Sequence, residues 1–349
     1  MPDNSTPIRR LSVLDVSPVL SGESAAAALH HTLGLARFVD GLGFHRYWLA
    51  EHHNTALIAS SSPEVMIGHV ASVTKHLRVG SGGIMLPNHT PLQVAEAFRT
   101  LEALHPGRID LGIGRAPGTD TRTAVALRRS REAVGADDFP EQMGDLLTFF
   151  NGEFPEDHPF RRITAIPEGV STPPIWLLGS SDFSAALAAD LGLGFAFAHH
   201  INPEPVLDAL RIYRERFQPA ATLSEPQAFV AVSAICGETD ERAELLARSA
   251  DLTLLRFQQR RIGPLPSLQE ATEYLYSPFE RDQIRYNRAR LFVGSPQTLK
   301  AQLSRFAEQA GVEELMVTTL IHDHADRCRS YQLLAEAFGL PPAAADSGC

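Results

Sequence analysis

"RVGSGGIMLPNHTPLQVAEAFRTLEALHPGRIDLGIGR" runs from Arg78 to Arg115, and its reading decides the fold. Leu77 to Met85 is an apolar run rich in glycine, which reads as a buried strand. Pro91 suits a first helical position, and helical spacing follows to Leu104. Arg108 to Ile113 is apolar and strand-like again. A buried strand, a helix and a second buried strand form a parallel βα unit.

The same alternation extends in both directions. Upstream, Leu11–Val16 reads as a strand, Ser24–Leu42 as a helix, Arg46–Ala50 as a strand and Pro63–His76 as a helix. Downstream come helices near Thr121–Val134 and Phe139–Phe150, then strands at Ile175–Leu178, Gly194–Ala198, Gln227–Ile235 and Glu314–Leu320. Helices follow each of these at Ser181–Leu191, Pro203–Phe217, onward to about Gln259, and His324–Phe338. A further helix begins at Gly294-Ser295-Pro296, and residues 260–289 read as an irregular insertion. Eight strands each followed by helix fit either a (β/α)8 TIM barrel or a doubly wound open sheet. The open sheet expects a glycine-rich turn after its first strand. Ser17-Pro18-Val19-Leu20 stands there instead. The expectation is therefore a (β/α)8 barrel with insertions after strands four and seven. Residues 1–340 read as one domain, and 341–349 as a disordered tail.

Composition narrows the function classes. The chain has 349 residues, 44% of them hydrophobic, and a net charge of -10. No basic run is long enough to track a phosphate backbone, so no nucleic-acid partner is expected. No apolar stretch reaches about 18 residues, so no membrane span is expected. The first residues lack a signal peptide's apolar segment, which points to the cytoplasm. The three cysteines, Cys236, Cys328 and Cys349, are scattered and form neither a disulfide framework nor a zinc knuckle.

In a barrel the chemistry lies at the C-terminal ends of the strands. Strand two ends in Glu51-His52-His53, strand three runs through Gly80-Ser81-Gly82-Gly83 to Met85, and strand four ends in Arg115. Strand five ends in Gly179-Ser180-Ser181-Asp182, strand six in His199-His200, and strand eight in His322-Asp323-His324. Glu51-His52-His53 has three readings. One is proton transfer. The second is a metal site completed by His89, His199 or His322. The third is a histidine bridging loops. Alternation along a strand lets at most one of the two imidazoles point straight into the mouth. The glycines of strand three mark close approach, either of a flat ligand or of a neighbouring strand. The Gly179–Asp182 turn opens a helix, so it can bind a phosphate or simply cap itself. Arg115 can clamp a phosphate or form a surface ion pair. Pro87 and Pro91, around Asn88-His89-Thr90, set the loop into the third helix. "GIGRAPG" (Gly112–Gly118) is not a dinucleotide fingerprint, because Pro117 interrupts the helix that should follow.

Together, "RYWLAEHH" (Arg46–His53), the Arg78–Arg115 stretch and "LFVGSPQTLKAQL…GVEELMVTTL" (Leu291–Leu320) resemble bacterial luciferase-like, flavin-dependent monooxygenases. The resemblance runs from about Leu11 to Phe338 and is strongest over residues 46–115. It is nearer to single-subunit luciferase-like oxidoreductases of unassigned substrate than to the light-emitting enzyme. It implies the (β/α)8 fold, and reduced FMN supplied by a separate flavin reductase. It also implies O2 as co-substrate, a C4a-peroxyflavin, and a small organic molecule as the compound oxidised. Residue by residue, it implies His52 as the proton-transfer group, with Glu51 and His53 in support. Gly82-Gly83 matches a non-proline cis peptide beneath the flavin ring, with Met85 beside it. Arg115 matches a contact to the flavin phosphate, as do Ser180, Ser181 and Ser184 with Gly179 just before them. His199 stands where the luciferase has a bulky aromatic, and Gly114 where it has a reactive cysteine. The segment 260–289 differs from its loop. Family members commonly form homodimers. Hydride transfer with the deazaflavin F420, and a flavin-binding barrel without catalysis, are the alternatives within this fold. A metal-dependent hydrolase is the alternative outside flavin chemistry.

Overall fold

The computed structural model describes residues 7–128, 138–152, 154–220 and 222–343. Its strands are β1 (Arg10–Asp15), β2 (Arg46–Leu49), β3 (Arg78–Ser81), β4 (Ile84–Met85), β5 (Ile109–Gly114), β6 (Ile175–Gly179), β7 (Gly194–Ala198), β8 (Ala228–Cys236), β9 (Leu291–Gly294) and β10 (Glu314–Thr318). The helices of the first half are α1 (Ala25–Gly41), α2 (Pro63–Val73), α3 (Pro91–Leu104), α4 (Thr121–Arg128) and α5 (Phe139–Asn151). Those of the second half are α6 (Asp182–Asp190), α7 (Val206–Arg216), α8 (Asp240–Gln258), α9 (Leu268–Glu273), α10 (Pro278–Asn287), α11 (Pro296–Ala310) and α12 (His324–Phe338).

Every strand pairing between these elements is parallel, and β10 joins both β1 and β8. The sheet thus closes into eight staves: β1, β2, β3 with β4, β5, β6, β7, β8 and β10. This is the (β/α)8 barrel. β3 and β4 form one stave interrupted at Gly82-Gly83, whose peptide bond is cis. β9 lies outside the ring, paired with the C-terminal half of β8.

Alternation sorts the side chains. Leu14, Trp48, Trp176, Ala196, Phe229 and Met316 fill the barrel interior. Their neighbours in sequence, among them Val13, Tyr47, Leu49, Leu177, Phe195 and Val230, face the helices. Trp48 is fully buried, with its ring edge-on to Phe229 at 5.2 Å and Trp176 at 6.1 Å. Burying one such ring, about 200 Å² of apolar surface, contributes roughly 5 kcal/mol before entropy is counted. The glycines are the complement of these rings. A Cβ on Gly80 would lie 2.7 Å from the Trp48 indole nitrogen and 2.6 Å from the Asp110 carbonyl oxygen. One on Gly112 would meet the Ser81 carbonyl oxygen at 2.1 Å and Trp48 at 3.0 Å.

Beneath the rings, at the N-terminal end, Arg46 bridges Asp110 at 2.7 Å and Glu314 at 2.8 Å. Trp48 Nε1 and Ser12 complete that network as donors to Asp110 and Glu314. The bottom is therefore a closed polar floor, and the open rim is the C-terminal one.

One expectation changes. Residues 260–289 are not irregular. They hold α9 and α10, each opened by a capping box, Ser267 with Glu270 and Ser277 with Glu280. The helix expected over 121–134 is described only as α4, because 129–137 lie outside the described residues. Of the 341–349 tail, Pro341 packs on Gly43, and the Ala343 N–H donates to the Gly41 carbonyl at 3.3 Å. Residues 344–349 lie outside the described residues.

Candidate active site

β2 ends at Leu49, and the chain then turns across the rim. The Ser60 hydroxyl donates to the Ala50 carbonyl at 2.6 Å, and the His52 N–H to the Ser60 carbonyl at 2.9 Å. This fold-back points Glu51, fully buried, toward the end of β4. Its Oε1 receives His53 Nε2 at 2.8 Å, and its Oε2 receives the Met85 N–H at 2.8 Å. His89 Nε2 lies 3.0 and 2.9 Å from the two oxygens. Asn88 steadies the same loop by donating to the Pro117 carbonyl at 2.9 Å.

Burial works against the Glu51 charge, yet the bonds from His89, His53 and Met85 outweigh it and hold the carboxyl below its usual range. Burial likewise works against a charged His89, and the Glu51 carboxylate outweighs it, raising the imidazole's pKa. The two therefore form a carboxylate–imidazolium pair. His52 is the contrasting case. Burial lowers its pKa, and its Nδ1 is buried without a hydrogen-bond partner. A neutral imidazole with one unsatisfied ring nitrogen is equipped to exchange a proton with a ligand.

On the neighbouring arc of the rim, Arg115 leaves β5 and lays its guanidinium 4.3 Å from the Phe183 ring centre. Phe183 belongs to the first turn of α6. Ser181 precedes that helix in extended geometry, and its side chain makes no capping bond. The first amides of a helix have no intrahelical acceptor and carry partial positive charge. Gly179 permits this arrangement, since a Cβ there would lie 2.3 Å from the Ser184 hydroxyl. Arg115, Gly179, Ser180, Ser181 and Ser184 are thus gathered around one helix start.

A family model described as luciferase-like monooxygenase matches residues 10–314. The chain belongs to the luciferase-like monooxygenase family. It is 41% identical over 322 residues to a protein named luciferase-like monooxygenase in Escherichia coli K12, covering 92% of this chain and 95% of that one. It is 34% identical over 330 residues to the N-acetyl-S-alkylcysteine monooxygenase of Bacillus subtilis, covering 94% and 98%. The crystal structure of apo-MsnO8 superposes with a TM-score of 0.88 at 38% identity, over 97% of this chain and all of that one.

Within this luciferase-like barrel, His199, Gly82, Gly83 and Gly114 each have close protein neighbours. His199 is not brought to the cluster. It follows Phe195 and Phe197 on the outer face, its ring stacked 5.6 Å from Phe292 and packed 4.8 Å from Phe306. Burial, with His200 and Arg290 nearby, pushes its pKa down to about 4. Gly82 and Gly83 have protein neighbours where a side chain would go. Their Cβ positions would meet Leu14 at 2.5 Å and the Gly112 carbonyl oxygen at 2.8 Å. The Met85 sulfur lies 2.9 Å from where a Cβ on Gly114 would stand, so the thioether fills the space a cysteine would need.

Asp15, at the end of β1, faces the helices. It pairs with Arg327 at 2.8 Å and accepts from Tyr47 and Thr32. His322 meets the Ser21 carbonyl at 3.0 Å. Among the described residues no group of three or more His, Cys, Asp or Glu is arranged to hold a metal, and no helix is long and apolar enough to cross a membrane. Sequence reading passed over His89 as the partner of Glu51. The Pro-bracketed loop gave its position but not its target.

Proposed function

We propose that this luciferase-like monooxygenase uses reduced FMN, delivered by a separate flavin reductase, and O2 to oxidise a small organic substrate. The observation that carries the reading is the pairing, on one rim, of an unsatisfied neutral imidazole at His52 with an arginine set against an uncapped helix start. FMN needs both kinds of partner, a proton-exchanging group near its ring and a cationic, amide-rich cradle for its phosphate. Arg115 and the first turn of α6, with Ser180, Ser181 and Ser184, would hold the phosphate. The backbone at Gly82-Gly83 and the Met85 side chain would border the ring. When bound, the reduced cofactor supplies the two electrons with which O2 is activated.

The rest is the work of this chain's own residues. His52 holds or releases a proton at Nδ1. Glu51 stays ionised and serves as an anchor, tying the turn after β2 to the loop after β4 through His53, His89 and Met85. That anchoring fixes the height of His52 above the barrel floor. The surrounding apolar walls, Val16, Leu178 and Met316 among them, limit water in the mouth.

The test is an anaerobic titration with reduced FMN, followed by O2 uptake with and without a panel of thioethers. Thioethers come first because one relative is named for an S-alkylcysteine substrate. Saturable binding and substrate-dependent O2 uptake are expected. Binding of reduced F420 in place of reduced FMN would overturn the FMN reading, and binding of neither would overturn flavin chemistry altogether.

A further inference from the structure

A second imidazole lies at the rim, on the turn that ends β7. This turn is tightly held. The N–H groups of Ile201 and Asn202 both donate to the Ala198 carbonyl, at 3.1 and 3.2 Å. Asn202 Nδ2 donates to the Ser180 carbonyl at 3.1 Å, and Arg290 Nη1 to the Ile201 carbonyl at 3.1 Å. Beyond the last β7–β8 pair, Ala198 with Ala231, the His200 N–H donates to the Ala231 carbonyl at 3.3 Å. Its ring Nδ1 stands 3.1 Å from that same oxygen.

A carbonyl oxygen can only accept. Nδ1 must therefore carry the proton, and in the neutral ring Nε2 is left as a bare lone pair. Burial lowers the pKa of His200, the Ala231 bond offsets part of this, and Arg290 adds to the lowering, so the neutral ring is the resting form. The contacts of the two histidines set the side. β7 ends at Ala198, with Phe195 and Phe197 outside and Ala196 inside. Beyond it His199 packs on Phe292 and Phe306 outside the ring, whereas His200 bonds to Ala231, whose side chain lies in the barrel interior. His52 lies near enough to His200 that protonating His200 would oppose protonating His52. β2 and β7 stand on opposite sides of the barrel, so the two imidazoles flank the mouth.

We infer that His200 is a hydrogen-bond acceptor of fixed tautomer, and that it favours the reduced isoalloxazine, which carries a hydrogen on N5, over the oxidised ring, whose N5 is itself an acceptor. The inference rests on the flavin reading above. An acceptor held at one wall rewards a donor on the ligand and opposes a second lone pair. His200 thereby discriminates between two redox states of one ligand, without taking part in proton transfer.

Two measurements test it. The first is 15N NMR of the histidines in the ligand-free protein at pH 7. It is expected to show His200 protonated on Nδ1 alone, and protonation on Nε2 would overturn the inference. The second compares dissociation constants for reduced and oxidised FMN in wild type, His200→Asn and His200→Gln. Asn keeps a donor for Ala231 but has no acceptor at the Nε2 position, whereas Gln can place an amide oxygen there. Asn is expected to lose about tenfold of the reduced-over-oxidised preference, the worth of one hydrogen bond, and Gln to keep it within about twofold. Urea midpoints near wild type for both variants establish that the fold is intact. An unchanged preference in His200→Asn would refute the role of His200 alone. Failure of the wild type to bind either form would refute the flavin reading and the inference with it.

Discussion

Replacing Glu51 by Gln removes one charge from a buried, densely bonded side chain at the rim. The carboxylate accepts from His53 at 2.8 Å, from the Met85 N–H at 2.8 Å, and from His89 at 2.9 Å. An amide of the same shape has one accepting oxygen. Its NH2 must therefore face either Met85 N–H or the imidazoles, and at least one buried donor loses its partner. A hydrogen bond to a charged group contributes about 1.5–3 kcal/mol, and breaking a buried pair costs about 3–5 kcal/mol. His89 retains some access to water, with its side chain 25% exposed. The expected loss is therefore about 3 kcal/mol near pH 6.

The pH dependence follows from the two shifts. Glu51 lies below its ordinary value of 4.5, so its contribution is complete above that value and disappears as the pH falls through the folded pKa. His89 lies above its ordinary value of 6.5, so its contribution is complete below that value and disappears as the pH rises through the folded pKa. The difference in stability between wild type and Glu51→Gln should be largest between about pH 4.5 and 6.5 and shrink as the pH rises past 6.5 through the raised pKa of His89, where the imidazole becomes a neutral donor. Urea unfolding of both proteins at intervals from pH 5 to 9 measures it. A difference that stays flat over that range, or grows with pH, would refute the carboxylate–imidazolium pair.

Arg115→Ala should weaken binding of reduced FMN by about 10–100-fold and leave binding of reduced riboflavin within about twofold, since a charge-assisted phosphate contact contributes about 1.5–3 kcal/mol. Equal losses for both ligands would place the arginine elsewhere than at the phosphate. Gly112→Ala should cost at least about 1–3 kcal/mol in urea unfolding, because its new methyl would meet the Ser81 carbonyl at 2.1 Å. Gly144→Ala, in the middle of α5 with nothing within 4 Å, should stabilise by about 0.5–1 kcal/mol, and a loss there would undercut the contact argument. Asp15→Asn should destabilise by about 3–5 kcal/mol, because Arg327 at 2.8 Å loses its only carboxylate partner given by the described residues. Burial opposes the Asp15 charge, but Arg327 and the bonds from Tyr47 and Ser17 outweigh it and lower its pKa. Its contribution is present above the usual carboxylate range and lost on acidification, so the variant should close on the wild type as the pH falls toward 3, as followed by urea unfolding.

The barrel was legible because parallel βα units leave a local signature, an apolar run, a helix and another apolar run. The long-range partners were not. Asp15 and Arg327 lie 312 residues apart, Arg46 and Glu314 268 apart, and only closure of β10 onto β1 brings them together. Glu51 and His89 fall between these cases. Each stands in a conspicuous local pattern, and the 38 residues between them cross a whole βα unit. The insertion 260–289 was under-read for a different reason. Ser267-Leu268-Gln269-Glu270 and Ser277-Pro278-Phe279-Glu280 both follow the S-x-x-E spacing of a capping box, and each does open a helix. The helices are only 6 and 10 residues long, too short for apolar periodicity to mark them.

His199 and His200 show how far phase alone carries. In Gly194-Phe195-Ala196-Phe197-Ala198 the two large rings alternate with small residues. A parallel barrel packs its helices on the outer face, where bulky apolar side chains are needed, and its interior here is already filled by Trp48, Trp176 and Phe229. The phenylalanines therefore belong outside and the alanines inside. The strand stops at Ala198, so phase does not reach the two histidines: the His199 N–H turns back to the Phe197 carbonyl, and the His200 N–H takes the Ala231 carbonyl one residue out of ladder register. Their contacts separate them instead: Phe292 and Phe306 surround His199, and Ala231 stands against His200. A resemblance matches positions in a chain, and alternation assigns faces only as far as the strand runs. Past that end, in a pair of like side chains, each ring's own contacts separate them: His199 is packed among phenylalanines outside the ring, which leaves His200 as the imidazole that the proposed flavin preference tests.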